Sequence, residues 1–269
     1  PSLVTPDFER LAAIAHEHAV PLVVDNTFAT PYCCRPIEHG ADIIWESTTK
    51  WITGSGTTVG GVVIDGGQFP WDHPDADYAE LDGESPAYPI DFVERFGDAA
   101  FANVARQRGV RPTGGQQSPF DAWQTIQGLN TLPLRMERHC ENAMLVAEQL
   151  DAHPDVEWVN YPGLESHPTH ENASKYLEGG YGGMITFGLA GGYEAARKTV
   201  ESTELASLLA NVGDAKTLII HPASTTHQQL TDEEQESSGV TDELVRLSVG
   251  IEDPAKIIAD LEAAIEAAT

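Results

Sequence analysis

The chain has 269 residues, of which 42 are acidic and 15 are basic, so its formal net charge is −27. Apolar residues make up 41% of the chain, which is enough for a folded core. No apolar run approaches the ~18 residues of a membrane span. The excess of negative charge argues against nucleic acid and anionic membranes as partners, because like charges repel.

The acidic residues are scattered along the chain, whereas lysine is scarce and limited to Lys50, Lys175, Lys198, Lys216 and Lys256. This combination is typical of proteins that work in concentrated salt, where screening makes self-repulsion tolerable. We therefore predict a salt-adapted, halophilic protein, with an ordinary acidic protein as the alternative.

The number and spacing of the cysteines indicate whether the protein works in a reducing or an oxidising cellular compartment. The three cysteines are Cys33, Cys34 and Cys140, an odd number that includes two adjacent residues. Adjacent cysteines rarely pair with each other, so the sequence does not indicate a disulfide framework. A reduced, cytoplasmic location is predicted.

Hydrophobic spacing predicts alternating helices and strands in the first part of the chain. Phe8, Leu11 and Ile14 recur at helical spacing after Asp7, which can cap the helix. The predicted elements are a helix over 7–20, a strand over 22–24, a turn or short helix over 35–40, a strand over 42–45 and an apolar run over 59–65. This alternation predicts an α/β fold with a mostly parallel sheet, whose sites lie at the carboxyl ends of strands.

The pattern changes further along the chain. We predict a long ordered loop over 68–89, then helical segments over 91–108 and 118–150, the latter split near Pro133. After Pro154 the predicted elements are strands over 156–159, 184–189, 217–220 and 245–249, with helices over 193–201 and 254–268. We therefore predict two domains, a larger one over 1–135 and a smaller α+β domain with an antiparallel sheet over 136–269.

The candidate reactive group is Lys50, which follows a predicted strand and stands among the hydroxyls of Ser47 and Thr49. Asp25 ends the preceding strand, whose apolar residues predict burial. Desolvation can lower the pKa of a lysine enough to make it a nucleophile. The set suits pyridoxal phosphate (PLP): Lys50 would form the Schiff base, Asp25 would hold the pyridine nitrogen protonated, and the hydroxyls would bind phosphate. A surface lysine and a turn aspartate are the alternative interpretations.

Other patterns compete with this interpretation. His153, His167 and His170 could ligate a metal, but no acidic or cysteine partner stands at tight spacing and Pro168 indicates a loop. Ser224 and His227 could be a nucleophile and its base, and the glycine-rich segment Gly54–Gly61 could be a nucleotide-binding loop. Near neighbours in sequence rarely reach triad geometry, and the glycine-rich segment lacks the Gly-Lys-Ser/Thr ending of a P-loop.

Longer segments carry a resemblance to a known family. They are Val23–Tyr32, Arg35–Asp42, Ser47–Lys50, Ser118–Phe120, Gly128–His139, Val156–His167, Ala210–Lys216, His221–His227 and Val245–Glu252. Together they resemble the Cys/Met-metabolism family of PLP-dependent enzymes over essentially the entire chain. The resemblance implies PLP-dependent transferase fold type I, the aspartate aminotransferase-like fold, with residues 1–135 as the carboxyl part of the large PLP-binding domain.

The resemblance implies the roles given above to the candidate residues and adds two that bind substrate, Arg246 and Asn211. Arg246 would hold the substrate carboxylate through its bidentate fork, with help from Asn211. From the strand pattern alone, Arg246 would more simply be an ion-pair partner. The segments 211–214 and 222–227 are similar to those of members that sulfhydrylate O-acetylhomoserine. The implied reaction is γ-replacement on O-acetyl-L-homoserine by sulfide or methanethiol, giving homocysteine or methionine and acetate, in a homotetramer.

Some features depart from the family pattern. Ser55 and the segment Arg111–Gln116 differ from the residues usual in the family. The resemblance also implies an amino-terminal portion before Pro1 that would complete the pocket. Alternatives are a cystathionine γ-synthase or methionine γ-lyase type of activity, or a truncated, non-catalytic scaffold.

Overall fold

A computed structural model describes residues 2–81, 83 and 89–269. Its strands are β1 Val23–Asp25, β2 Ile43–Ser47, β3 Gly61–Asp65, β4 Val156–Asn160, β5 Met184–Leu189, β6 Ser207–Leu208, β7 Leu218–Ile220 and β8 Leu244–Ser248. Each predicted strand is present to within two residues, and only the short β6 was not predicted, because two residues carry no alternation. The predicted loop over 68–89 lies partly outside the described residues.

The helices are α1 Phe8–Glu17, α2 Thr30–Cys33, α3 Phe92–Phe96, α4 Ala100–Val104, α5 Arg111–Thr113, α6 Pro119–Leu129, α7 Leu132–Asp151, α8 His170–Tyr176, α9 Gly192–Ser202, α10 Asp232–Ser237 and α11 Pro254–Glu266. Tight 3₁₀ turns occur at Pro36–His39, Gly97–Ala99 and Pro222–Ser224, and wide π-type turns at Thr48–Ile52 and Ala105–Val110. The predicted helix over 91–108 is therefore a series of short pieces. Among the described residues, no helix combines the length and apolar character needed to cross a membrane.

Local signals explain the ends of several helices. Asp7 caps α1 as predicted, since its carboxylate accepts a hydrogen bond from the backbone N–H of Arg10 at 3.2 Å. The predicted break near Pro133 falls just before α7, and Pro133 lies in its first turn, where a missing N–H is harmless. The proposed domain boundary after residue 135 also falls within α7, and the division into two domains stays a prediction.

The first sheet has the strand order β1-β2-β3. β1 and β2 are parallel, with Asp25 opposite Trp45, and β3 returns antiparallel to β2, with Gly61 opposite Ser47. The predicted mostly parallel sheet is thus mixed in the described residues, because the chain turns back after β2 without a crossover helix. The carboxyl ends of β1 and β2 meet at one edge of this sheet.

The second sheet has the order β4-β5-β8-β7-β6. Its pairs are antiparallel as predicted, except for the parallel pair β6–β7. The main core lies between this sheet and α7, α9 and α11. A second cluster joins the turn after β2 to α7 and β5; its buried members are Cys33, Trp51, Leu132, Met136, Cys140, Met184 and Val212. That cluster fixes where Lys50 lies relative to the second sheet.

Candidate active site

Lys50 lies in the wide turn Thr48–Ile52 that follows β2 and is the one residue of that turn with non-helical dihedrals, φ −92° and ψ −131°. Its Nζ donates a hydrogen bond to Oδ1 of Asn211 at 2.5 Å. Burial, and then the positive charge of Arg246, lower the pKa of the Lys50 amine. A lowered pKa brings the amine closer to its neutral, nucleophilic form at neutral pH.

Arg246 lies on β8, paired with Thr186 of β5 on one side and Ile220 of β7 on the other. Its Nη2 donates to the backbone carbonyl of Asn211 at 3.3 Å, and burial lowers the pKa of its guanidinium. Among the described residues no carboxylate forms an ion pair with it. A half-buried guanidinium without an acid partner is suited to bind an anionic ligand.

Asp25 and Ser47 end β1 and β2 at the same edge of the first sheet. The backbone N–H of Ser47 donates to Oγ1 of Thr27 at 2.9 Å, and the N–H of Thr27 donates to the Asp25 carboxylate at 3.0 Å. Because Asp25 is opposite Trp45, and Ser47 follows Trp45 by two positions, all three side chains lie on one face of the sheet.

The expected burial of β1 is wrong for the described chain. Asp25 is exposed, and Val23 two positions earlier is 55% exposed. The physical reason is that no described segment covers this face of the sheet, where Trp45 is also 53% exposed. The Asp25 carboxylate is therefore accessible to a ligand from that side.

Thr49 and Thr48 differ in their surroundings. The hydroxyl of Thr49 donates to the carbonyl of Gly60 at 3.2 Å and accepts from its N–H at 3.0 Å. Thr48 is buried, and its hydroxyl accepts a hydrogen bond from the side chain of Gln117 at 3.4 Å. Thr49 thus stays at the partly exposed side of the turn, tied to the loop before β3, while Thr48 points inward.

Arg135 was not selected from the sequence, although it lies inside the Gly128–His139 segment. Its guanidinium donates to the carbonyls of Trp51 at 2.6 Å, Ile52 at 3.0 Å and Gly128 at 2.8 Å. Burial lowers the pKa of this side chain. The two residues directly after Lys50 are therefore held by a single arginine on α7, a role that only tertiary contacts reveal.

The competing patterns have other partners. His167 Nδ1 accepts from the N–H of Thr169, His170 Nδ1 bonds the carbonyl of Pro162, and among the described residues no three His, Cys, Asp or Glu groups could hold a metal. The hydroxyl of Ser224 bonds Nδ1 of His221 at 2.9 Å instead of reaching His227. These side chains therefore bond to neighbours within their own segments, as structural residues of loops do.

The comparisons identify the class of protein that the fold and these groups define. A model of the Cys/Met metabolism PLP-dependent enzymes matches residues 1–266. The chain therefore belongs to this family of PLP-dependent enzymes, which confirms the resemblance, the α/β fold class and PLP as the cofactor.

Particular relatives narrow the class. The chain is 53% identical over 270 residues to homocysteine synthase of Schizosaccharomyces pombe, covering 100% of this chain and 63% of the relative. It is 49% identical over 276 residues to O-acetyl-L-homoserine sulfhydrylase of Leptospira meyeri, covering 99% of this chain and 62% of the relative. The chain thus spans less than two thirds of the length of these relatives.

Solved structures agree with this placement. A Campylobacter jejuni protein described as an O-acetylhomoserine (thiol)-lyase, which contains N′-pyridoxyl-lysine-5′-monophosphate, is similar with a TM-score of 0.93 and 37% identity. The similarity covers 99% of this chain and 63% of that one. MetB of Corynebacterium glutamicum is similar with a TM-score of 0.79 and 39% identity, covering 99% of this chain and 60% of the other.

Proposed function

We propose that the protein containing this chain is an O-acetylhomoserine sulfhydrylase. It would replace the γ-acetoxy group of O-acetyl-L-homoserine with sulfide or methanethiol, forming a carbon–sulfur bond as acetate leaves and giving homocysteine or methionine. The observation that carries the proposal is the Lys50 amine, which has a lowered pKa, bonds Asn211 and lies near Arg246, a guanidinium with no ion pair among the described residues. The relatives named for homocysteine synthesis and acetylhomoserine sulfhydrylation support it.

The groups at this edge of the sheet fit PLP. When bound, PLP supplies an electron sink for negative charge that develops on the substrate carbons. Lys50 would attach the cofactor, and the exposed Asp25 carboxylate would bind the protonated pyridine nitrogen. Ser47, whose hydroxyl has no protein partner among the described residues, would bind the phosphate together with Thr49.

The substrate would be held from the second sheet. Arg246 would bind its carboxylate, which supplies the acid partner that this half-buried guanidinium lacks among the described residues. Asn211 would keep the freed Lys50 amine in position to move protons along one face of the substrate. Burial and the positive charge of Arg246 lower the pKa of Lys50, which favours an amine that can both accept and return a proton.

The test uses the full-length protein, loaded with PLP and given O-acetylhomoserine with sulfide. We expect homocysteine and acetate in equal amounts, and borohydride reduction should leave a pyridoxyl group on the peptide that contains Lys50. Lys50→Ala should abolish both results, whereas Lys198→Ala, which removes an exposed lysine of α9, should change neither. Turnover that survives in Lys50→Ala would refute the assignment.

A second candidate is the alternative that the family resemblance leaves open, cystathionine γ-synthase or methionine γ-lyase type activity. Parallel assays with cysteine as the nucleophile, and with methionine alone, separate these reactions from sulfide addition. Absence of product in every assay, with PLP bound, would favour the non-catalytic scaffold.

We further propose that the full-length protein is a homotetramer and works in the cytoplasm of a salt-adapted organism. The chain has 42 acidic and only 15 basic residues, and this imbalance supports the proposed salt adaptation. Molecular mass and unfolding midpoint, measured across a series of salt concentrations, test the assembly and the salt requirement together.

A further inference from the structure

Glu46 is a buried carboxyl that the proposed mechanism does not use. It lies in β2 and is only 2% exposed. Side chains alternate along a strand, so Glu46 points to the face opposite Trp45 and Ser47. A carboxyl buried to this extent requires a hydrogen-bonding partner.

The partner of Glu46 is Asn26, the residue directly after Asp25. Nδ2 of Asn26 donates to Oε1 of Glu46 at 2.8 Å and to the carbonyl of Cys34 at 3.0 Å. The backbone N–H of Asn26 donates to the carbonyl of Trp45 at 3.0 Å. Asn26 is therefore fixed from three directions, and the turn that carries Asp25 is fixed with it.

We propose that Glu46 is a positioning residue for Asp25: by holding Asn26 on the buried face of the sheet, it aims the neighbouring carboxylate at the ring nitrogen of PLP on the open face. This inference rests on the proposed function, in which Asp25 binds that nitrogen. Glu46 does not touch the cofactor in this arrangement, because it lies on the other side of the sheet.

Electrostatics adds a second link between the two acids. Burial raises the pKa of Glu46, the hydrogen bond from Asn26 lowers it, and the negative charge of Asp25 raises it. On the other side of β2, the residue of β3 opposite Glu46 is Val62, which carries no charge. A cation bound to Asp25 would cancel that repulsion and lower the pKa of Glu46, so PLP affinity and Glu46 ionisation should be coupled.

The experiment measures PLP binding to the full-length apoprotein by quenching of tryptophan fluorescence at several pH values. Glu46→Ala should raise the dissociation constant about tenfold, because one buried hydrogen bond and its positioning effect are lost. Glu46→Gln keeps an acceptor oxygen for Asn26 and should restore affinity to within about twofold. It should also remove the part of the pH dependence that Glu46 contributes. Asn26→Ala removes the donor of the same hydrogen bond and replaces Glu46→Ala in the experiment if that variant does not fold.

Asp42→Asn is the matched control. Asp42 is a buried carboxyl at the opposite end of β2, where it accepts from the N–H of Leu22 at 2.7 Å and bonds His16 at 2.8 Å. This variant should lower stability without changing the pH dependence of PLP binding. Equal effects of Asp42→Asn and Glu46→Ala on that dependence would overturn the positioning role.

A double-variant cycle separates this inference from the proposed function. If Glu46 acts through Asp25, Glu46→Ala should add nothing to the loss of PLP affinity in an Asp25→Ala background. Additive losses, or no loss in Glu46→Ala alone, would overturn the inference and leave the function intact. Unchanged PLP affinity in Asp25→Ala alone would overturn the proposed role of Asp25, and the inference with it.

Discussion

Replacing Arg135 with methionine tests whether one side chain of α7 holds the turn that carries Lys50. Methionine fills a similar length of apolar space but has no donor. The variant leaves the carbonyls of Trp51, Ile52 and Gly128 without their present partner. Trp51 is fully buried and Ile52 is 5% exposed, so water can replace the lost donors only in part.

The expected loss follows from these three hydrogen bonds. A buried polar group left without a partner costs about 1–3 kcal/mol, and some relaxation is expected around the shorter chain. We therefore expect Arg135→Met to lower the free energy of unfolding by about 3–5 kcal/mol. In Arg135→Lys a single ammonium cannot reach all three carbonyls, so the free energy of unfolding should fall by about half of that amount.

The assay is urea unfolding of the full-length apoprotein, followed by PLP titration of the variants that remain folded. The control is Arg138→Met, which removes an exposed arginine one turn along α7 whose nearest acid is Glu141 at 3.8 Å. It should change the unfolding free energy by less than about 0.5 kcal/mol. A loss in Arg135→Met as small as that of the control would refute the idea that this arginine fixes the Lys50 turn.

Two further predictions concern other groups. Arg246→Lys loses the bidentate fork and should lower kcat/KM for O-acetylhomoserine about 10- to 100-fold with PLP binding unchanged. The control Arg197→Lys, which changes an exposed arginine of α9, should have no effect. Equal kinetics for the two variants would contradict the role of Arg246 in binding the substrate carboxylate. His139 is buried, Nδ1 bonds the carbonyl of Val249 at 2.6 Å, and burial lowers its pKa to about 4. The unfolded chain then binds a proton that the folded chain does not, so stability is complete above about pH 6.5 and falls by roughly 3 kcal/mol toward pH 4. His139→Asn keeps a donor for Val249 and should flatten this slope in urea unfolding measured from pH 4 to 7.5, and an unchanged slope would contradict the assignment.

Regular elements could be predicted from the sequence where the periodicity is long. The strand Met184–Leu189 agrees with its prediction at both ends, because all six residues are buried and apolar residues dominate it. The helix predicted over 91–108 fails as a continuous element, since Gly97 adopts a positive φ of 52° and interrupts it. Local sequence gives no signal for β6, which exists only because β7 pairs with it.

Site residues could be predicted from the sequence where the residue type itself indicates the chemistry. Lys50 and Asp25 stand out because each follows an apolar run, and in the structure Asp25 ends β1 while Lys50 lies in the turn directly after β2. The exposure of Asp25 was not predictable, because it depends on what covers the sheet. The roles of Arg135 and Glu46 also escaped sequence reasoning, because an arginine in a helix and an acid in a strand reveal nothing about partners in other elements.

The hydrogen bond between Lys50 and Asn211 joins residues 161 positions apart in the chain. Contacts of such long range form late, since the connecting polypeptide must be ordered before they are rewarded. A newly made or refolding chain would carry a fully solvated, protonated ammonium at position 50 until both sheets have met. We therefore expect PLP to attach to Lys50 only after the two sheets have packed together.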